Sequence, residues 1–177
     1  MRFLSEESVL QHKDYLKNLK LKYSVLEKSC PKIKGLDLCG INRARIERSL
    51  REECLELLSK IILHELYFES FSEEFHPSQF VKESFGSEAN FLYEIETEIA
   101  KNESSGFLLV FFDRRKCLNF KVLNGFSEIL INSSPVLALD FYEHAYFSDY
   151  GFDRKRYIKA ALSHFNLNKI NDFCKTY

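Results

Sequence analysis

The sequence has no tryptophan, and only 3 prolines and 6 glycines among its 177 residues. Such low proline and glycine contents argue against a disordered chain, a collagen-like repeat or a glycine-rich β-protein. Basic and acidic side chains nearly balance, at 25 against 26, so the overall charge gives no reason to expect binding to nucleic acid or to a membrane surface. The five cysteines form no CxxC pair, which argues against a zinc knuckle or a disulfide framework.

Long apolar runs are also missing. The longest, residues 107–112 and 135–139, are far shorter than the ~20 residues that a membrane-spanning helix needs. The first ten residues, MRFLSEESVL, contain no apolar core of secretory length. We therefore expect a soluble, intracellular protein without a membrane partner, cytoplasmic or alternatively mitochondrial.

The sequence is rich in other apolar side chains, with 17 phenylalanines, 9 tyrosines and 45% hydrophobic residues overall. In the first third, apolar residues recur at three- and four-residue steps, which predicts two long amphipathic helices. The first stripe is Val9, His12, Leu16, Leu19, Tyr23 and Leu26, and the second is Ile46, Leu50, Cys54, Leu57, Ile61, His64 and Phe68. The connection over residues 30–41 contains proline and glycine, so the two helices should form an antiparallel hairpin within residues 1–74.

The pattern changes near residue 75. Two shorter helices are predicted over residues 77–84 and 87–101, followed by strands over 106–112, 117–123 and 135–139. A helix over residues 153–165 and a short tail complete the chain. We therefore predict an α+β fold, with a helical hairpin over 1–74 and an α/β part with a three-stranded antiparallel sheet over 75–177.

Three predicted elements carry histidines on faces that should point inward. His12 and His64 lie on the two helical stripes, and Asp140 and His144 directly follow the third strand. Imidazole and carboxylate groups in a buried site suit iron, manganese or zinc. A single histidine on a core stripe is more often a buried, hydrogen-bonded side chain, and an aspartate after a strand is usually a cap. The spacing alone leaves both interpretations open.

The segment 135–150, PVLALDFYEHAYFSDY, followed by Arg154 and Tyr157, resembles the signature of the iron/manganese superoxide dismutases. That signature is P-L-L-x-x-D-x-W-E-H-A-Y-Y-x-D-Y, with an arginine and a tyrosine after it. Shorter similarities cover nearly the whole chain. They lie at residues 4–12, 64–68, 85–91, 105–107 and 118–125.

The resemblance implies a superoxide dismutase fold and an oxidoreductase that disproportionates superoxide. It implies one iron or manganese ion per subunit, held by His12, His64, Asp140 and His144. It also implies a homodimer in which Glu143 of one subunit hydrogen-bonds to His144 of the partner subunit.

Several positions depart from the family pattern. Leu16 replaces a histidine and Phe147 replaces a tyrosine that meet across the family's dimer interface, and Lys20 replaces an active-site tyrosine. The two places that can supply the family's metal-site glutamine hold Lys60 and Gly125.

Lys20 and Lys60 are therefore the candidates for altered catalysis. Lys60 would either favour a bound anion or extend its charge to solvent. The family's tryptophan positions hold Phe68, Phe107, Leu109, Tyr142 and Leu167, which lack an indole N–H group.

Two questions stay open at this stage. A second alignment of the first helix would put Glu7, rather than His12, at the ligand position. The changed positions also leave two alternatives to a divergent dismutase. One is an inactive structural member of the fold, such as a mitochondrial ribosomal subunit, for which nucleic acid would be a partner. The other is a metalloprotein with different redox or oxygen chemistry.

Overall fold

The computed structural model describes residues 3–74, 76–125 and 129–176. The helices are α1 (Glu6–Ser29), α2 (Leu38–Arg43), α3 (Arg48–Glu69), α4 (Gln79–Phe85), α5 (Glu88–Ala100), α6 (Ile129–Asn132), α7 (Glu143–Tyr150), α8 (Arg154–Leu162) and α9 (Asn168–Thr176). A 3₁₀ turn covers Pro31–Ile33, and the strands are β1 (Phe107–Phe112), β2 (Leu118–Leu123) and β3 (Ser134–Asp140). No helix in these described segments is both long and apolar enough to cross a bilayer.

The first helix begins where the sequence places a cap. The Ser5 hydroxyl accepts a hydrogen bond from the Ser8 backbone N–H at 3.1 Å, and Glu6 and Glu7 lie in the first turn, where negative charge is favourable. Helix α1 packs against α3, and α3 packs against β3. The helical hairpin therefore rests directly on the sheet.

The sheet has the order β2-β1-β3, and both pairings are antiparallel. Every residue of the central strand β1 is buried. Phe107, Leu109 and Phe111 belong to the core shared with α1–α3, whereas their neighbours 108, 110 and 112 belong to the core formed with the C-terminal helices. Because helices cover both faces, β1 is a continuous apolar run rather than an alternating one.

The α+β class and the three-stranded antiparallel sheet are confirmed, while four segments contain more helix than expected. The connection over residues 30–41 contains the 3₁₀ turn and the start of α2, α6 precedes β3, and α7 follows the Asp140 segment directly. The predicted short tail contains α9, whose Phe173 ring stacks on Phe112 at 4.6 Å. Its sequence, NKINDFCKT, is mostly polar, so packing against the sheet is what stabilises this helix.

Candidate metal centre

Four side chains from four elements meet at one point between the hairpin and the sheet. They are His12 from α1, His64 from α3, Asp140 from the end of β3 and His144 from α7. Each offers one ligand atom, and these atoms all lie within 4.8 Å of one another. Asp140 Oδ2 lies 3.1 Å from His12 Nε2, 3.3 Å from His64 Nε2 and 3.0 Å from His144 Nε2.

The end of β3 fixes the carboxylate. Asp140 Oδ1 accepts a hydrogen bond from the Tyr142 backbone N–H at 2.8 Å, so the other oxygen faces the three imidazoles. Helix α7 begins one residue later, at Glu143, and brings His144 back over the strand end. This turn explains the four-residue spacing between Asp140 and His144.

A buried pair of tyrosines supports the same strand end. The Tyr157 hydroxyl donates a hydrogen bond to the Asp140 carbonyl oxygen at 2.6 Å, and it lies 3.3 Å from the Tyr67 hydroxyl. Both tyrosine side chains are fully buried. Burial raises the pKa of both phenols, so each keeps its proton and remains a donor.

His64 has a defined proton position. Its Nδ1 lies 2.6 Å from the Lys60 carbonyl oxygen, which can only accept, so Nδ1 carries the proton. In the neutral ring, Nε2 therefore directs a lone pair at Asp140 Oδ2. Burial lowers the pKa of His64 from 6.5 to about 4, and the nearby Asp140 charge opposes this only in part. The neutral imidazole is thus the form present near neutral pH.

Asp140 is ionised in these surroundings. Burial by itself would raise its pKa, but hydrogen bonds from His12 and His144 hold the pKa well below the usual range. The carboxylate is completely buried. His12 and His144 can each donate Nε2–H to it, but His64 cannot, because its proton is on Nδ1.

The donor set fits a resident metal ion. The lone pair of His64 Nε2 lies 3.3 Å from a buried carboxylate oxygen, and a cation between the two atoms would relieve their repulsion. Adjacent ligands ~2.1 Å from an ion lie ~3 Å apart, close to the separations found here. Three imidazoles and one carboxylate suit iron or manganese, which accept mixed nitrogen and oxygen ligands.

Aromatic rings surround the four donors. Phe68 lies 5.1 Å from the His12 ring, Phe107 lies 5.0 Å from His64, and Tyr142 lies 5.8 Å from His144, between ring centroids. Leu109 and Leu167, two further positions of family tryptophans, are buried in the cores. Phenylalanine and tyrosine thus supply the rings that contact the histidines, without any indole N–H donor.

Lys60 does not extend freely into solvent. Its ammonium lies 3.0 Å from Glu56, one helical turn earlier, and the lysine side chain is about one-third exposed. Gly125 lies beside the same carboxylate, because a Cβ at this glycine would stand 3.0 Å from Glu56 Oε2. Lys60 and Gly125, the two positions that can supply the family's glutamine, therefore both lie beside Glu56, and an ion pair is formed there.

The structure also places the other predicted residues. Lys20 pairs with Glu65 at 2.6 Å on a half-exposed surface. Glu7 is exposed and accepts a hydrogen bond from Gln11, so α1 brings His12 rather than Glu7 to Asp140. The remaining three lie near the surface: Leu16 is partly buried, and Glu143 and Phe147 are exposed beside His144.

Sequence reasoning missed two residues near the site. The ring of Tyr15 stacks on His144 with centroids 4.4 Å apart, and Glu56 holds Lys60. Each had a usable signal, because Tyr15 follows His12 by three residues and Glu56 precedes Lys60 by four. Those spacings put both pairs on common helix faces.

The comparisons with known proteins show which family the chain is similar to. The profile of the C-terminal domain of iron/manganese superoxide dismutases matches residues 73–173, more than half of the chain. In Halobacterium salinarum, manganese superoxide dismutase 2 is 38% identical over 78 residues, which cover 43% of this chain and 38% of that protein. Manganese superoxide dismutase 1 of the same organism is 36% identical over 107 residues, which cover 56% and 52%.

The iron superoxide dismutase of Cupriavidus metallidurans is 31% identical over 120 residues, which cover 64% of this chain and 60% of that protein. The chain thus spans between 38% and 60% of the length of these three relatives. The profile match covers more than half of the chain, and the fold and these similarities are consistent with it. The chain therefore belongs to the iron/manganese superoxide dismutase family.

Proposed function

We propose that the chain holds one iron or manganese ion between His12, His64, Asp140 and His144, and that it disproportionates superoxide. The observation that carries the proposal is the convergence of four donor atoms, three of them from buried side chains, with the His64 lone pair directed at an ionised carboxylate. When bound, iron or manganese would supply a couple between the +2 and +3 states, so that one superoxide is oxidised to oxygen and a second, with two protons, is reduced to hydrogen peroxide.

The protein residues hold this site in a fixed geometry. The Lys60 carbonyl orients His64, and the Tyr142 N–H and the Tyr157 hydroxyl hold the two ends of Asp140. Such support fixes the ring orientation and the basicity of ligands. His144 is the most exposed of the four, with 31% of its side chain accessible, so small molecules reach the centre from its side.

A homodimer is part of the proposal. Glu143 and Phe147 are exposed beside His144 on α7, so a second copy packed there would cover the open side of the site. In this arrangement Glu143 would reach His144 of the partner subunit. The predicted parts 1–74 and 75–177 each supply two of the four ligands, and we propose that they act as two halves of one site.

A second candidate function follows from Lys60. Lys60 lies at one of the two positions that can supply the family's metal-site glutamine, and it pairs with Glu56 instead of offering an amide. A metal-bound protein with other redox or oxygen chemistry is therefore the competing proposal. Within this pair, the Lys60 ammonium offsets the Glu56 charge and so would make anion binding nearby more favourable than the carboxylate alone.

One experiment separates these functions from an inactive fold. The purified chain is loaded with iron or with manganese, its metal content is measured, and superoxide consumption is followed by stopped-flow absorbance. Dismutation by the loaded protein supports the main proposal. Bound metal without dismutation favours the second candidate, and failure to bind either metal contradicts both.

Matched variants assign the ligands. His64→Ala should abolish metal binding, because it removes one of four donors. His76→Ala is the control, since its imidazole lies outside the cluster and contacts the Ser72 hydroxyl at 3.0 Å. Glu7→Ala should likewise leave the metal in place, whereas His12→Ala should not. Metal retained in His64→Ala would contradict the assignment.

A further inference from the structure

Tyr15 lies on the solvent side of the four donors and has no assigned role. We propose that Tyr15 is a positioning residue whose ring covers the imidazoles of His64 and His144 and controls how fast dissolved molecules reach them. With His12 aligned as the ligand of the first helix, the family's active-site histidine and tyrosine positions fall at Leu16 and Lys20 and not at Tyr15.

Ring geometry supports this role. The Tyr15 ring stacks on the His144 ring with centroids 4.4 Å apart and planes inclined by 29°. It lies 5.2 Å from the His64 ring with an inclination of 39°. One phenol ring therefore contacts two of the four donors, and α1 fixes its position relative to a third, His12.

Tyr15 also separates two clefts. The first, of about 400 Å³, lies between α1 and α7 and is lined by His12, Glu143 and His144 among others. The second, of about 480 Å³, lies between α1 and α3 and is lined by Lys22 and Lys60 among others. Tyr15 lines both, so its ring forms the boundary between them. Removing the ring would join the clefts and expose the two imidazoles from a second direction.

The ring, rather than the hydroxyl, carries this argument. About 37% of Tyr15 is exposed, so the residue is held against the histidines on one face and meets solvent on the other. A phenylalanine at this position would keep the same contacts, whereas an alanine would keep none of them. The consequence for a bound metal rests on the proposed function; the coverage of the imidazoles does not.

The test uses the reaction of histidines with diethyl pyrocarbonate in the metal-free protein, followed by peptide mass spectrometry. Tyr15→Ala should react several-fold faster at His144 than the unmodified chain, and Tyr15→Phe should match the unmodified chain. Tyr93→Ala is the control, because Tyr93 is 68% exposed and lies on α5. His76 is the internal reference in every variant.

Three results would overturn the inference. The first is an unchanged rate at His144 in Tyr15→Ala. The second is an equal acceleration at His76, which would mean general loosening of the fold. The third is a fast rate in Tyr15→Phe, which would assign the effect to the hydroxyl.

A separate readout keeps this inference apart from the proposed function. If the unmodified chain binds neither iron nor manganese, the proposed function fails, while the reaction rates still decide the role of Tyr15. If it binds metal, Tyr15→Ala should release the ion to EDTA several-fold faster than Tyr15→Phe. Equal release rates would contradict the proposed control of access.

Discussion

Acidification should destabilise the metal-free protein through His64. Burial lowers the pKa of this side chain from 6.5 to about 4 in the folded state. Below pH ~6.5 the unfolded chain therefore binds a proton that the folded chain refuses, and the free energy of unfolding falls with pH. The loss is complete near pH ~4 and amounts to about 3 kcal/mol, at ~1.4 kcal/mol per pKa unit. For a chain of this size, that lowers Tm by roughly 6–12 °C.

The assay is urea unfolding of the metal-free chain at several pH values between about 7 and about 4. A His64→Gln variant provides the reference, because it keeps every other titratable side chain of the chain. Asp140 affects stability in a lower pH range. Because its pKa is lowered in the folded state, the ionised carboxylate stabilises the fold above pH ~3.9, and this contribution is lost only on further acidification. Equal pH dependence in the two proteins would refute the neutral, buried state of His64.

Three further substitutions test the surroundings of the site. Tyr157→Phe removes a buried hydrogen bond to the end of β3 and should lower the free energy of unfolding by about 1–3 kcal/mol, measured by urea unfolding; an unchanged midpoint would contradict the assigned contact. Ser70→Ala leaves the buried Ala138 N–H without its hydroxyl acceptor and should cost a similar ~1–3 kcal/mol in the same assay, with a neutral result arguing against this link between α3 and β3. Lys60→Met leaves the Glu56 carboxylate without this cation, so azide titration of the metal-loaded protein should show several-fold weaker binding; unchanged affinity would separate Lys60 from the site.

Much of the fold was predictable because hydrophobic spacing records burial directly. The two long apolar stripes correctly predicted helices α1 and α3, and the apolar runs correctly predicted strands β1 and β3. Helix α9 carries only a short apolar stripe, Ile170, Phe173 and Cys174, at three- and four-residue steps. A stripe of this length in a helix of 9 residues is too weak a signal to predict a stable helix from the sequence. The helix is stabilised by packing of Phe173 on Phe112, a residue far away in the chain.

The donor residues were also suggested by the sequence, whereas their surroundings were not. His12 and His64 lie on apolar stripes, and Asp140 ends an apolar run, so their inward direction follows from periodicity. The position of Lys60 was ambiguous, because a flexible lysine either pairs locally or extends to solvent. The structure shows that Lys60 pairs with Glu56, one helical turn earlier, a spacing that the sequence contains but that alone does not decide between the two.

X-ray absorption of the iron- or manganese-loaded protein tests the central claim most directly. The claim predicts nitrogen and oxygen neighbours at about 2.0–2.2 Å from the ion, with the multiple-scattering features of imidazole rings and no sulfur neighbour. In His64→Ala the imidazole contribution should fall or the metal should be lost. A sulfur shell from any of the five cysteines, or a spectrum without imidazole features, would contradict a site built from His12, His64, Asp140 and His144.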